Sequence, residues 1–267
     1  MKIDSALRER DIQPSWPLVV GVMLMVLLEA LDTTVVNVAL PHMKGSFAAT
    51  SDQITWMITA YLVSTAIVMP LTGYLVKKFG QREVLNFGVL GFIFASFACG
   101  LSTSLEAMVF FRFLQGGLGA VVVPISQSIM FRAFPEEKRS QAMSFWGIAL
   151  MVGPLVGPVT GGWITENWSW PWIFFINIPL GLIALLLLSG KLEPSIDKKK
   201  VSTDWFGLIM LSVTLGALQM VLDQGHTRDW FESAFIWFLC WLTATGFALF
   251  ITHALLIKES IVDIKLF

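Results

Sequence analysis

The sequence predicts an all-α polytopic membrane protein. Of its 267 residues, 55% are hydrophobic and only 14% are charged, a composition well outside that of a soluble domain of this length. The apolar residues also fall in long blocks whose lengths match a bilayer crossing. One block contains several glycines and prolines, which a membrane helix accommodates where protein or water repairs the lost backbone bonds.

Eight transmembrane helices are predicted from apolar runs of about 18 to 25 residues. They cover residues 17–40, 54–76, 84–102, 106–131, 141–163, 172–190, 205–222 and 234–257. The first run is too long for a signal-peptide core and no cleavage site follows it, so we expect it to remain as a helix. Outside the spans, residues 1–16 form a polar lead and residues 191–204 form a loop.

The basic residues are distributed unevenly between the predicted loops. If the eight spans alternate, 15 Lys and Arg residues fall on one side, and only Lys44 and Arg228 fall on the other. Because cytoplasmic loops carry an excess of Lys and Arg, both termini are expected in the cytoplasm. Four tryptophans between positions 163 and 172 then lie at the outer face, where indole rings settle between headgroups and hydrocarbon.

The fifth predicted span contains Gly153, Gly157 and Gly161, spaced four residues apart. In a helix these glycines form one flat stripe against which a neighbouring backbone can pack closely. Pro154 and Pro158 lie beside the stripe, and each removes a main-chain hydrogen-bond donor. The glycine side of this helix is therefore expected to face protein and not lipid.

Ionisable residues well inside the predicted spans are Glu29 and Asp32 in the first and Arg112 in the fourth. Such a charge costs on the order of 3 kcal/mol at the centre of a membrane helix, so each should face a protein interior or a water-filled cavity. Glu29 and Asp32 share one helix face. Because carboxylates so close in a low-dielectric site disfavour each other's ionisation, the pair suits a proton carrier.

Asp32 and Arg112 are predicted to lie at similar depths, about 13 Å and about 9 Å below the outer boundary. If the two helices are neighbours, Arg112 would hold Asp32 ionised until a proton or a cationic substrate competes. Gln115, one turn further along, would be a hydrogen-bond partner of Arg112. The competing interpretation is a fixed ion pair that only satisfies two buried charges.

Motifs for catalysis or for cofactor binding are not recognisable in the sequence. The glycines at positions 116, 117 and 119 lie within a predicted helix and not after a strand, and no nucleophile elbow is present. Cys99 and Cys240 sit in separate apolar spans without metal-ligand spacing. We therefore expect a protein that is not an enzyme, with no metal and no cofactor.

Four segments carry a resemblance to a known family. They are residues 31–41 (LDTTVVNVALP), 73–82 (GYLVKKFGQR), 112–116 (RFLQG) and 153–162 (GPLVGPVTGG). Together they resemble signatures of the major facilitator superfamily, specifically its drug:proton antiporter branch with fourteen helices, the EmrB and QacA type. The resemblance implies a role in proton coupling for Asp32 and Arg112, with Gln115 supporting Arg112 and Glu29 as a secondary candidate.

The same resemblance implies roles for the other two segments. The loop between the second and third helices would latch the inward gate, and Lys77 stands there where the superfamily often has an aspartate. The fifth-helix segment matches the antiporter motif of exporters. The gate residues implied are Gly73, Lys77, Gly80 and Arg82, and the antiporter-motif residues are Gly153, Pro154, Gly157, Pro158, Gly161 and Gly162.

The domain organisation implied by the resemblance is an N-terminal six-helix bundle plus two linker helices. Residues 17–190 would form the bundle and residues 205–257 the linker pair. Residues 172–181 and 222–225 support this branch, and residues 258–267 resemble the start of the connection to a second bundle. The sequence ends there, so the second bundle is expected to be missing.

The function implied by the resemblance is proton-coupled multidrug efflux across the bacterial cytoplasmic membrane by alternating access, with the proton gradient as energy source. Expected partners are amphipathic, often cationic substrates, protons, lipids, and a second bundle or second copy, but no nucleic acid. A periplasmic adaptor and an outer-membrane channel are further expected partners. Two alternatives stay open: a proton-linked transporter for a metabolite or siderophore, and a truncated, transport-inactive membrane protein.

Overall fold

The computed structural model describes residues 15–192 and 204–257, and within these ranges the regular structure is entirely helical. Seven of the described helices are long and apolar enough to cross a membrane, and another apolar helix is shorter. In chain order they are α1 Trp16–Ser46, α2 Ser51–Phe79, α3 Gln81–Gly100, α4 Leu105–Ala133, α5 Glu136–Asn167, the shorter α6 Trp172–Leu188, α7 Trp205–Gln224 and α8 Ala234–Leu256. The all-α membrane fold is confirmed. Most of the predicted lead and loop, and residues 258–267, lie outside the described residues.

Side-chain caps define where several helices begin. Thr50 precedes α2 and accepts a hydrogen bond from the Gln53 amide at 3.2 Å, while the Gln53 side chain accepts from the Thr50 amide at 2.9 Å. This reciprocal capping box satisfies donors that the first helical turn leaves free. Ser104 and Asp204 cap α4 and α7 through their side-chain oxygens.

Proline accounts for the interruptions inside three helices. Helix α2 tightens to a 3-10 turn at Met69–Leu71, α4 is broken between Leu105–Gly119 and Val122–Ala133, and α6 is broken between Trp172–Phe175 and Asn177–Leu188. A proline lies within or just after each interruption, where it removes one main-chain donor and obstructs the preceding turn. The three are Pro70, Pro124 and Pro179.

The helices differ from the predicted spans by one to six residues at most of their ends, and two of these differences have a visible cause. Helix α1 continues through Pro41 to Ser46 instead of ending at residue 40, because one proline removes a single backbone bond and the turns beyond it remain paired. Helix α6 ends at Leu188, and Gly190 follows with a φ of 70°, a left-handed conformation typical of helix ends. Seven of the eight predicted crossings are therefore long apolar helices, and the eighth, α6, has 17 residues, which is at the lower limit for a helix that crosses a bilayer.

Helix α1 lies at the centre of the packing. It contacts α5, α6 and the second half of α4, while α2 packs on the first half of α4 and α3 packs on α4 and α6. Buried apolar side chains such as Leu85 and Met130 fill one region of the core, and Val36, Met57 and Phe174 fill another. The arrangement brings α1, α3, α4 and α6 together around one buried region.

Helices α7 and α8 pack against each other, and α7 packs on α2. The Thr59 hydroxyl of α2 donates to the Asp223 carboxylate. Gln224 donates to the Thr59 oxygen at 2.8 Å and to Asp223 Oδ2 at 3.2 Å. Gly216 lies against Ile67 and leaves no room for a larger side chain without adjustment. Asp223 and Gln224 thus provide a polar contact between α7 and α2.

Candidate functional site

The predicted contact between Asp32 and Arg112 is present in the core. Arg112 Nη1 lies 2.6 Å from Asp32 Oδ2, and the two residues are 1% and 2% exposed. A charge-assisted hydrogen bond that is this short and this well buried is much stronger than a surface ion pair. The geometry joins α4 to α1 through their most buried charges.

The other oxygen of Asp32 is held by two amides. Gln115 Nε2 donates to Asp32 Oδ1 at 2.9 Å, and Asn177 Nδ2 donates to the same atom at 2.8 Å. The Gln115 carbonyl in turn accepts from Arg112 Nη1 at 2.8 Å. Asp32 therefore accepts from three side-chain donors, which is the bonding pattern of a deprotonated acid.

Ser96 of α3 completes the network. Its hydroxyl oxygen accepts from Gln115 Nε2 at 3.2 Å and from Asn177 Nδ2 at 2.9 Å. The hydroxyl donates to the Phe174 carbonyl at 3.0 Å. Because Ser96 uses both its donor and its acceptor, it fixes the two amides that hold Asp32.

Arg112 is also enclosed by aromatic rings. Its guanidinium carbon lies 4.2 Å from the centre of the Tyr61 ring and 5.8 Å from that of Phe174. Helix α2 approaches α4 closely at Gly116, because glycine has no Cβ. A Cβ there would collide with the Tyr61 carbonyl. The ring faces keep water from the guanidinium and add cation–π attraction.

Glu29 lies one turn before Asp32 and is 7% exposed. It lies on the same face of α1 as Asp32. Within residues 15–192 and 204–257 it forms no ion pair. The second predicted carboxyl is therefore near the network but is not paired with Arg112.

The glycine stripe of α5 packs against α1, as expected for a protein-facing surface. A Cβ at Gly153 would collide with Ala30, and one at Gly157 would collide with the Thr34 hydroxyl. That hydroxyl also lies 3.4 Å from the Gly153 carbonyl, to which it donates. The stripe thus supports the helix that carries Asp32.

The remaining members of the antiporter segment border this contact. A Cβ at Gly161 would press on Val35, whereas one at Gly162 would reach Val38 at an ordinary 3.8 Å. Pro154 and Pro158 are exposed in the described chain. Their part in antiport stays a prediction.

The four predicted gate residues lie along the end of α2 and the start of α3. Gly80 joins the helices with a φ of 101°, which favours glycine. A Cβ at Gly73 would have no neighbour within 4 Å, so the described chain itself does not require glycine there. The gating role of Gly73, Lys77, Gly80 and Arg82 stays a prediction.

Residues 22–262 match the family model described as Major Facilitator Superfamily. The chain belongs to the major facilitator superfamily. The match covers nearly all described helices, and members of this superfamily are transporters and not enzymes. The chain is thus a multi-pass membrane protein of a transporter family.

Curated relatives in the superfamily include exporters. The chain is 40% identical to the fatty acid resistance protein FarB of Neisseria gonorrhoeae over 245 residues, 91% of this chain and 48% of FarB. It is 38% identical to the multidrug export protein EmrB of Haemophilus influenzae over 252 residues, 94% and 49% of the two chains. EmrB of Escherichia coli is 36% identical over 252 residues, 93% and 49%. The chain spans about half the length of these relatives.

Solved structures of the superfamily share the fold. The proton:xylose symporter XylE matches with a TM-score of 0.60 at 17% identity, over 91% of this chain and 53% of XylE. The human organic anion transporter MFSD10 matches with a TM-score of 0.61 at 17% identity, over 88% and 70%. At this identity the likeness shows the fold alone.

Several residues of the network were not selected by the sequence analysis. The structure places the predicted Asp32, Arg112 and Gln115 in one network, and it adds Ser96 and Asn177, which the sequence analysis did not select. A polar side chain inside an otherwise apolar span was the available signal for both. Tyr61 likewise stands in an apolar span, and it is one of only two tyrosines in the chain.

Proposed function

We propose that this chain supplies the proton-coupling half of a multidrug efflux antiporter that exchanges protons for amphipathic, often cationic compounds. Its similarity to the multidrug export protein EmrB and to the fatty acid resistance protein FarB supports an amphipathic cargo. The metabolite and siderophore alternative is not favoured by these relatives. The energy source is the proton gradient, and no cofactor takes part.

The bonding of Asp32 is the observation that carries the proposal. The deprotonated acid is satisfied by Arg112, Gln115 and Asn177. A proton added to Asp32 removes the charge that compensates Arg112, and breaking a buried ion pair costs about 3–5 kcal/mol. The surrounding helices can relieve that cost by rearranging, so proton binding shifts the balance between inward-open and outward-open states.

We infer the location and the partners from the charge pattern, the fold and the relatives. The excess of basic residues on one side supports a bacterial cytoplasmic membrane location with both termini in the cytoplasm. Substrate binds between two bundles near the membrane midplane, so a second bundle or a second copy of the chain completes the cavity. Where the envelope has two membranes, a periplasmic adaptor and an outer-membrane channel carry the cargo onward.

Dye efflux from vesicles tests the proposal. The chain alone and the chain completed with a second six-helix bundle are reconstituted, a fluorescent cationic dye is loaded, and efflux is followed after a proton gradient is imposed. The completed protein should export the dye, and Asp32→Asn should abolish gradient-driven export while membrane insertion is unchanged. Full export by Asp32→Asn would overturn the assignment.

The same vesicles distinguish the cargo and the inactive alternative. A fluorescent fatty acid in place of the cationic dye tests an anionic amphipath, which the name of FarB suggests. Export by the chain alone would show that copies of it assemble a carrier. Absence of export for both cargoes in the completed protein would contradict multidrug efflux.

A further inference from the structure

A long apolar groove runs along the outside of the bundle between α2, α3 and α4. It has a volume of about 610 Å³, which lies within the range of about 300–1,000 Å³ that small-molecule sites occupy. Its lining on α2 extends from Ser64 to Phe79, a length of about 22 Å at a rise of about 1.5 Å per residue. The groove therefore has the volume of a ligand site and is long enough to cross one leaflet of a bilayer whose hydrocarbon core is about 30 Å thick.

The groove is separate from the Asp32 network. On α4 its lining residues include Leu114 and Leu118, whereas Arg112 and Gln115 bond to Asp32 on α1. At about 3.6 residues per turn, these two sets of side chains lie on opposite faces of α4. The open side of the groove thus faces away from the buried network.

The groove opens onto a lipid-facing surface of α3. Phe87 lines the groove and is 71% exposed. It begins a stripe of exposed apolar side chains that continues with Leu90, Phe94 and Phe97, and their spacing of three or four residues places them on one helix face. A continuous apolar face on a membrane-spanning helix suits contact with acyl chains. Molecules dissolved in the leaflet can therefore reach the groove from the side.

Three phenylalanine rings and one carboxylate give the groove its chemical character. Phe79, Phe87 and Phe113 line it from α2, α3 and α4. Glu83, in the first turn of α3, is the one charged side chain among the described lining residues. It is exposed and forms no ion pair with another residue of the described ranges. Aromatic rings attract cations, quaternary ammonium groups above all, and the carboxylate attracts the same charge.

Basic residues lie near the Glu83 end of the groove but outside its lining. Lys78 Nζ lies 5.4 Å from the centre of the Phe79 ring and donates to the Tyr74 hydroxyl at 3.1 Å. Arg132 donates to the first residue of α3 at 3.4 Å. Because the described lining presents a negative charge and no positive one, an anionic head inside the groove would meet Glu83 without compensation. The charge pattern thus favours a cationic occupant.

We propose that this groove is a binding site for cationic amphipaths, which enter it from the adjoining leaflet. The apolar body of the compound lies along the groove among the phenylalanine rings, and its ammonium head lies beside Glu83. In the proposed topology the Glu83 end is cytoplasmic, so an exporter loads its cargo there from the inner leaflet. The binding step is independent of the proposed function, whereas this role in export rests on it.

Photolabelling of the purified chain in phosphatidylcholine nanodiscs tests the binding site without requiring transport. Two probes share one alkyl-diazirine body and carry either a trimethylammonium or a carboxylate head, and mass spectrometry quantifies the labelled residues. The cationic probe should label residues 79–88 and 113–121 saturably, more strongly than the exposed apolar face of α8 and more strongly than the anionic probe does. Even labelling of all lipid-facing helices, or equal or stronger groove labelling by the anionic probe, would overturn the proposal.

Glu83→Gln isolates the contribution of the charge. It should reduce groove labelling by the cationic probe about two- to fivefold, the strength of a partly exposed ion pair, and should not reduce labelling by the anionic probe. Glu106→Gln is the matched control, because Glu106 is also an exposed acid in the first turn of its helix but lies outside the lining. Equal cationic labelling of the two variants would show that Glu83 does not bind the head.

Phe87→Ala tests the aromatic wall in the same assay. Loss of the ring should reduce cationic labelling about two- to fivefold. Phe94→Ala, two turns further along the same exposed stripe and outside the lining, should leave it unchanged. Both rings are exposed, so neither variant removes a core side chain. If the two variants behave alike, the groove does not use its aromatic wall.

Dye efflux by the completed protein separates this inference from the proposed function. Glu83→Gln should raise the concentration of cationic dye that gives half-maximal efflux and change the maximal rate little, because the groove acts in binding. Glu106→Gln should change neither quantity. An unchanged half-maximal concentration in Glu83→Gln would overturn the role of the groove in loading. Absence of efflux from the completed protein would instead refute the proposed function and leave the photolabelling result standing.

Discussion

Asn177 and Ser96, which are 81 residues apart in sequence, share a hydrogen bond of 2.9 Å that ties α6 to α3 beside the Asp32 carboxylate. The same Asn177 amide nitrogen also donates to Asp32. Asn177 begins the second segment of α6, directly after the break that precedes Pro179. The second segment of α6 thus begins with an amide that bonds the Asp32 carboxylate.

We expect Asn177→Leu to destabilise the bundle by about 1–3 kcal/mol, because Asp32 Oδ1 loses a buried donor. Thermal unfolding in detergent measures the change, and dye efflux measures its effect on transport. Asn167→Leu is the matched control, since Asn167 is exposed and bonds within its own helix at 2.8 Å. Equal melting temperatures for the two variants would contradict a supporting role for Asn177.

Gly157→Ala should destabilise the contact between α5 and α1 by about 1–3 kcal/mol, because the new methyl group collides with the Thr34 hydroxyl. Gly147→Ala on the same helix has no atom within 4 Å of its new Cβ. That control should be neutral or stabilising by about 0.5–1 kcal/mol through helix propensity. Unfolding temperatures compare the two, and a stable Gly157→Ala protein would show that this contact is loose.

Thr59→Val should loosen α7 from α2, because Asp223 loses a donor and Gln224 an acceptor. The expected loss is about 1–3 kcal/mol, and it should raise the susceptibility of the 225–233 connection to limited proteolysis. Thr55→Val one turn earlier is the control, since the Thr55 hydroxyl donates to the Asp52 carbonyl within its own helix. Similar cleavage of both variants would argue against this polar contact as the attachment.

Gly80→Ala should cost about 1–2 kcal/mol, because the residue between α2 and α3 has a φ of 101° that an L side chain adopts only with strain. Gly73→Ala, in the same predicted gate segment, meets open space and should be tolerated in the stability of the described chain. Unfolding temperatures of the two variants test this contrast. A loss for Gly73→Ala as large as that for Gly80→Ala would mean that the segment packs differently.

The sequence allowed the membrane class and most helix positions to be predicted, because length and hydropathy directly reflect the bilayer. It also allowed the Asp32–Arg112 contact to be predicted, since two isolated opposite charges at similar depth have few other partners. The contribution of Ser96 and Asn177 could not be predicted in this way. A single hydroxyl or amide costs little in an apolar helix, so its presence does not reveal which face points inward.

The break in α6 and the continuation of α1 illustrate a second limit. Pro41 and Pro179 have the same local effect on a helix. Helix α1 nevertheless continues through Pro41, whereas α6 is interrupted just before Pro179. The difference depends on what the neighbouring turns contact, and that information is tertiary. Tyr61 was missed for a related reason, because its importance comes from the close approach of α2 at Gly116.

Asp32 belongs to α1, receives hydrogen bonds from α4 and α6, and is linked to α3 through Ser96. A single hydrogen ion that binds there changes the restraints on four helices at once. In the proposed antiport, the free energy released as protons flow down their gradient is therefore delivered at one carboxyl group and distributed over a large part of the bundle. An event of atomic size can in this way move elements that each span the membrane.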